Sequence, residues 1–408
     1  MLSCRHCQSA LHEVFIDLGS APPSNAFLRA EDLNRPELYF PLKVFTCQAC
    51  GLVQVDELQG HEALFSSDYV YFSSISSSWV EHARRHVERS VDRLGLGPGS
   101  LVLEIASNDG YLLQHVQARG IPCLGIEPTH STAQAARARG IESIEQFFGR
   151  EFAQRLAQER GHADWIVGNN VLAHVPDIND FVAGLKAALA PGGCITLEFP
   201  HLQQLVEQAQ FDTIYHEHFS YLGFATVRRI LAAQGLAVWD VEQLPSHGGS
   251  LRVWAGHAES SPSELPSVAA LLAQELAAGM EEPAFYRSLQ ARADAIKHQL
   301  LRFLLEQKAA GKTVLAYGAA AKGCTLLNYA GLRPDLLAAV ADASPHKQGR
   351  FLPGSRIPVV RPEELLAARP DFVLLLPWNL RTELEVQLAA IRGWGGQFVV
   401  AVPELQVF

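Results

Sequence analysis

The sequence predicts an α/β protein of three sections: an N-terminal zinc-binding module, a central Rossmann-like domain and a smaller C-terminal Rossmann-like domain. Three observations carry that expectation. Cys4, Cys7, Cys47 and Cys50 form two CxxC pairs, "CRHC" and "CQAC". The run "LVLEIASNDGYLLQHVQARG" (101–120) passes from an apolar strand through a small polar turn into an amphipathic helix, and the next strand, "PCLGIEP", ends on Glu127. A similar unit, "KTVLAYGAAAKGCTLLNYAG" (312–331), recurs near the C-terminus, with Asp342 at a following strand end. A chain of 408 residues exceeds one ordinary core, so two or three domains are expected. We place them at residues 1–70, 71–256 and 257–408.

Charge and composition exclude several classes of protein. With 43 acidic against 33 basic residues the net charge is −10, which disfavours a nucleic-acid-binding surface. The N-terminal "MLSCRHCQSALHEVF" lacks an apolar signal core, and no run of about 18 apolar residues could cross a bilayer. A cytoplasmic protein without membrane or nucleic-acid partners is therefore expected, and it is expected to act as a monomer. In a reducing compartment the paired cysteines suit metal better than disulfides. Four thiolates make a closed tetrahedral Zn²⁺ site, which is structural rather than catalytic. The long spacer of residues 8–46 calls for a small subdomain between the knuckles, and Gly51 fits a knuckle turn.

After the module, "SSDYVYFSSISSSW" (66–79) is too aromatic for a flexible linker and reads as a binding loop. A helix over about 79–94 should end at "GLGPGS". The strand–turn–helix–strand–acid run that follows is a nucleotide-binding arrangement. Its turn lacks GxGxxG, so a dinucleotide pyrophosphate is poorly served. An acidic strand with an Asn-Asp-Gly turn suits a cationic nucleoside instead, which points to S-adenosylmethionine (SAM). "ADWIVGNNVLAHVPD" (163–177) reads as a buried strand opening into a polar loop, and "LAPGGCITLEFP" as a turn and strand. "LAVWDVEQL" and "SLRVWAG" then close the section as a hairpin. Alternation ending in such a hairpin predicts the seven-stranded class I SAM-methyltransferase sheet. In the third section, 265–310 should form about two helices before the second, smaller sheet.

The stretch "DTIYHEHFSY" (212–221) concentrates proton-handling groups. Methylating carbon requires removal of a C–H proton beside a carbonyl and stabilisation of the resulting oxyanion. His218 suits the base, with Glu217 or another carboxylate orienting it, and Tyr215 or Tyr221 suits the hydrogen-bond donor. His174, in the loop after the fourth strand, lies near the usual methyl-transfer face. Two blander readings compete: a solvated helix start with packed aromatic bodies, and a metal site using His216 and His218. The i, i+2 histidine spacing does not share a helix face, which weakens the metal reading.

The ordered set "EIASNDG", "NNVLAHVPDINDF", "FDTIYHEHFSYL", "HGGSLRV", "AYGAAAKGCTLLNY" and "LPWNL", behind CxxC…CxxC, spans the chain. It resembles the SAM-dependent sugar C-3 methyltransferases of deoxysugar biosynthesis, such as those of the D-tetronitrose and mycarose pathways. The resemblance implies methylation at C-3 of a nucleotide-linked 4-keto-6-deoxysugar, with thymidine diphosphate as the expected nucleotide. It implies His218 as base supported by Glu217, with Tyr215, His174 and Tyr69 at the sugar. SAM would lie against Glu104, Ser107, Asn108, Gly110, Glu127 and Asn170. The C-terminal sheet would hold the nucleotide, with Lys322, Asn328, Lys347, Arg350 and Asn379 as contacts. A similar SAM enzyme acting on a non-sugar ketone is the alternative.

Overall fold

The computed structural model describes residues 2–56 and 71–408. Tyr69 lies outside the described residues. Three sheets organise the chain. The first is antiparallel: β1 (Glu13–Ala21), β2 (Phe40–Thr46) and β3 (Val53–Val55). Its fourth strand comes from far along the chain, because β9 (Ser220–Tyr221) pairs with β3, Val53 facing Tyr221 and Gln54 facing Ser220.

The central sheet contains β4 (Val102–Ile105), β5 (Cys123–Ile126), β6 (Ser143–Ile144), β7 (Ala163–Asn169), β8 (Leu189–Pro200), β10 (Leu236–Leu244) and β11 (Ser250–His257). Its order is β10-β11-β8-β7-β4-β5-β6. β4 is parallel to both β5 and β7, while β11 runs antiparallel between β8 and β10. That is the class I methyltransferase order. All four residues of β4 are buried, as a parallel strand covered on both faces requires. The expected first helix is Ser77–Leu94; Ser76 accepts the Trp79 amide at its start, and Gly95 ends it at φ 64°.

The third sheet runs β14 (Val359–Val360), β13 (Val340–Ala341), β12 (Val314–Tyr317), β15 (Phe372–Leu375), β16 (Gln397–Val400), β17 (Gln406–Val407). All its pairings are parallel except that of β17. Two helices precede it, Pro266–Ala277 and Pro283–Ala309. The longer one buries Tyr286, Leu289, Ala293, Ile296, Leu300 and Phe303, a three-and-four spacing that makes one apolar stripe. That stripe joins a core containing Phe15 and Val44 of the first sheet, Phe211, Ile214 and Phe219 at and just before the 212–221 stretch, and Val340 and Val399 of the third sheet. The loop bearing the proton-handling residues is thus gripped by both flanking sections.

Candidate active site

In an open parallel sheet, ligands bind beyond the carboxyl ends of the strands, where the strand order reverses. The central sheet reverses between β4 and β7, and the third between β12 and β15. Both switch points open onto one cavity of about 1060 Å³. Ala106, Glu127 and Asn169 reach it from β4, β5 and β7; Gly318, Asp342 and Pro377 reach it from β12, β13 and β15. The 212–221 loop supplies Thr213, Tyr215, Glu217 and His218 between them.

The local fold of that loop orients His218. A short helical turn, Phe211–Thr213, and a bond from the His218 amide to the Tyr215 carbonyl curl the chain so that Thr213 faces the imidazole. His218 Nδ1 donates to the Thr213 carbonyl at 2.8 Å. A carbonyl can only accept, so Nε2 carries the lone pair, and it accepts from the Tyr215 hydroxyl at 2.8 Å. Burial pushes His218 well below its ordinary value, with the neighbouring His174, His247 and Lys322 pushing the same way. The ring is therefore neutral, with its lone pair on Nε2. His174 crosses it edge-on at 4.6 Å and is itself lowered to about 4 by burial.

Glu217 departs from its expected role. Its two oxygens accept from Asn25 Nδ2 at 2.9 and 2.7 Å, and the carboxylate does not orient the His218 ring, which the Thr213 carbonyl holds instead. Burial raises Glu217 to about 7, with the Asn25 amide partly offsetting it. His216 faces away, toward the Phe40 and Pro41 carbonyls at 3.3 and 3.2 Å, so it shares no metal site with His218.

The cofactor-side residues divide in two. Asn108, Glu127 and Asn170 line the cavity. Glu127 accepts from the Asn108 amide at 2.9 Å and the Thr129 amide at 2.9 Å. The Asn108 side chain is engaged with the Tyr71 carbonyl and the Ser73 amide, at 3.1 and 2.9 Å, clamping the aromatic segment over the site. Glu104, Ser107 and Gly110 are not in the cavity wall. Glu104 lies beneath the turn, where burial and the nearby Asp109 and Glu127 hold its carboxyl well above the usual range. Ser107 packs against Gly125, whose Cβ would sit 2.3 Å from its hydroxyl. Gly110, at φ 77°, makes the turn and faces Ile141. A carboxylate at the β5 end, amides after β7 and the apolar wall of Ile126, Phe147 and Phe148 suit a ribose and an adenine.

On the opposite wall, Lys322 Nζ bonds Asn379 Oδ1 at 2.6 Å and sits 4.8 Å over the Trp378 ring. Trp378 donates its indole N–H to Asp212 at 2.8 Å. Burial raises Asp212 to about 6, against the pull of Lys322 and the Trp378 bond, and burial lowers Lys322. Lys347 bonds the Ala319 carbonyl at 2.8 Å and lies 3.8 Å from Asp342. Asn328 and Arg350 do not reach the cavity. Asn328 ties Cys324 to Pro353 through their carbonyls, and the Arg350 backbone pairs with Lys347 and Val359.

The four cysteine sulfurs lie within 4.8 Å of one another, with Cys4–Cys50 and Cys7–Cys47 at 3.5 Å. Zn–S bonds of about 2.3 Å in a tetrahedron require S···S near 3.8 Å, so the group fits the ion. Gln54 Nε2 donates to Cys4 Sγ at 3.3 Å, a supporting bond typical of metal ligands. Between the first two cysteines, Arg5 bonds the Val55 and Pro176 carbonyls and stacks on Phe219, while His6 meets Asn179 at 2.8 Å. The knuckle therefore braces both loops, the one after His174 and the one after His218. Sequence reasoning did not single out Asn25, Thr213, Trp79, His247 or Trp378. Only the stretches around them carry a local signal: "SSDYVYFSSISSSW" for Trp79, "DTIYHEHFSY" for Thr213, "HGGSLRV" for His247 and "LPWNL" for Trp378.

The fold and site define a SAM-dependent methyltransferase carrying a zinc module. Family models match all three sections: a zinc binding domain at residues 4–65, a methyltransferase domain at 79–241, and a C-methyltransferase C-terminal domain at 245–403. The C-methyltransferase NovU of Streptomyces niveus is 36% identical over 407 residues, covering 99% of this chain and 96% of that protein. This chain belongs to that C-methyltransferase family. Solved structures align over less than half of the chain. The Synechocystis magnesium protoporphyrin IX methyltransferase with bound SAM is 19% identical, covering 44% of this chain and 81% of its own, at TM-score 0.33. The glycopeptide N-methyltransferase MtfA is 17% identical, covering 42% and 94%, at 0.35. Among the described residues no helix is long and apolar enough to cross a membrane.

Proposed function

We propose that this C-methyltransferase adds a methyl group to C-3 of a nucleotide-linked 4-keto-6-deoxysugar through a base-generated enolate. The observation that carries this reading is the neutral His218, fixed by Thr213 and Tyr215, at the cavity between two facing α/β edges. SAM, when bound, supplies an electrophilic methyl group. The Tyr215 hydroxyl gives up its bond to His218 Nε2 when substrate enters, that nitrogen takes the C-3 proton, and His174 walls off water on the far side. Glu127 and Asn170 hold the donor nucleoside. Lys322 and Lys347 give the edge of the third sheet positive charge suited to a diphosphate, so residues 257–408 hold the nucleotide, thymidine diphosphate being the first to try. In this reading the enzyme works in the cytoplasm as a monomer.

The test is hydrogen exchange at C-3 of a thymidine-diphosphate 4-keto-6-deoxysugar in heavy water, without SAM. Exchange catalysed by the wild-type chain and lost in His218→Asn is expected. Exchange only with a simple ketone lacking the nucleotide would favour the non-sugar alternative.

A further inference from the structure

One histidine in the cavity wall is used by nothing above. His247 sits on the turn Ser246–Gly248 that joins β10 to β11. Its backbone is left-handed, at φ 54° and ψ 20°, a conformation that L side chains adopt only where surroundings enforce it. Asn170, across the cavity at the end of β7, is left-handed too, at φ 55°. These two residues meet: Asn170 Nδ2 lies 2.9 Å from His247 Nε2.

The surroundings over-determine the turn. Gln210 Nε2 donates to the Gly248 carbonyl at 2.7 Å, and the Gly249 amide bonds the Ser246 carbonyl at 2.9 Å. Any Cβ at Gly248 would lie 2.5 Å from the Trp378 ring, so only glycine lets that indole close on the turn. Trp79 packs on the imidazole from the other side, 4.9 Å between ring centres. Burial lowers His247 to about 4, so the ring is neutral. With Nε2 accepting the Asn170 amide, the ring proton is on Nδ1, which has no protein partner among the described residues. Neutral imidazole N–H groups are effective electrophiles toward a carbonyl oxygen because they stabilise charge without surrendering a proton.

We propose that His247 Nδ1–H is the hydrogen-bond donor to the ketone oxygen of the substrate, placed to stabilise the enolate that His218 generates. This rests on the keto-sugar reading above. The step balances simply. The C-3 proton moves to His218 Nε2 and the electron pair delocalises onto the oxygen held by His247. The C-3 carbon then bonds the methyl carbon as its bond to sulfur breaks. His218 later gives the proton to solvent, and His247 keeps its own throughout.

The variant that isolates the ring is His247→Gly, since glycine adopts φ 54° freely and leaves the turn intact. Exchange at C-3 without SAM should fall about 100-fold, the usual consequence of losing one oxyanion donor, in a variant whose circular dichroism shows it folded. His247→Asn keeps a donor amide and tolerates the left-handed region, so it should recover part of the loss. Wild-type exchange with equal exchange in His247→Gly overturns this inference alone. No exchange by the wild-type chain overturns the keto-sugar reading and this inference with it.

Discussion

Tyr215 and His218 share one hydrogen bond, the phenol donating to Nε2 at 2.8 Å while Nδ1 is held by the Thr213 carbonyl at 2.8 Å. The tyrosine thereby covers the basic lone pair until a substrate displaces it. Burial raises the Tyr215 phenol well above its ordinary range, so it is a donor and never a competing phenolate. His218→Asn should lower methyl transfer by roughly 10²-fold or more, and Tyr215→Phe by about tenfold, neither changing SAM affinity. Single-turnover rates and calorimetric SAM binding give the two readings separately.

Glu217 makes stability depend on pH in a defined window. Its folded value, about 7, lies above the ordinary 4.5 because burial disfavours the charge. The folded state therefore holds the proton more tightly, and that contribution is complete below about 4.5. It is lost as pH rises toward 7 and is constant above. On the order of 3 kcal/mol is at stake. Glu217→Gln should remove this slope: the difference in unfolding free energy between variant and wild type should grow between pH 4.5 and 7, in the variant's favour. Parallel denaturant titrations across that range read it directly, and identical slopes would contradict the assignment.

Purified protein should carry close to one zinc per chain. Chelation should lower the thermal midpoint and also loosen the loops carrying His174 and His218, because Arg5 and His6 reach them from the knuckle. Hydrogen exchange of the Val55 amide, which bonds the Phe219 carbonyl, reports that loosening without any substrate. Unchanged protection on metal loss would mean the module is an independent appendage.

Trp378→Phe leaves the Asp212 carboxylate buried without its indole donor and removes part of the platform beneath Lys322. An unsatisfied buried acceptor costs about 1–3 kcal/mol. We expect lower stability of that order and a raised KM for the nucleotide-linked substrate, with KM for SAM unaltered.

Much of this architecture was legible in the linear chain because its signals are local. Paired cysteines, all-apolar strands and small-residue turns each occupy a few adjacent positions, and the 212–221 loop declares itself by composition. What escaped depends on docking. Asn25 reaches Glu217 only because the first sheet packs on the loop. Thr213 acts through a carbonyl, which no side-chain pattern marks. Glu104 and Ser107 share the turn region with Asn108, yet they face the sheet while Asn108 faces the cavity. Asn328 follows Lys322 by six positions, roughly 240° around a helix, so the two cannot address one ligand. Strand β9, two residues long, is invisible without its partner β3.

That short strand has a further consequence. β9 begins at Ser220, just past His218, and its mate β3 begins at Val53, just past Cys50, with the Val55 amide bonded to the Phe219 carbonyl at 3.1 Å. Metal ligand and base hang from the same rung. A chimera that exchanges N-terminal segments between relatives would therefore import the bearings of the base along with the zinc, and should carry residues 212–222 across in the same graft.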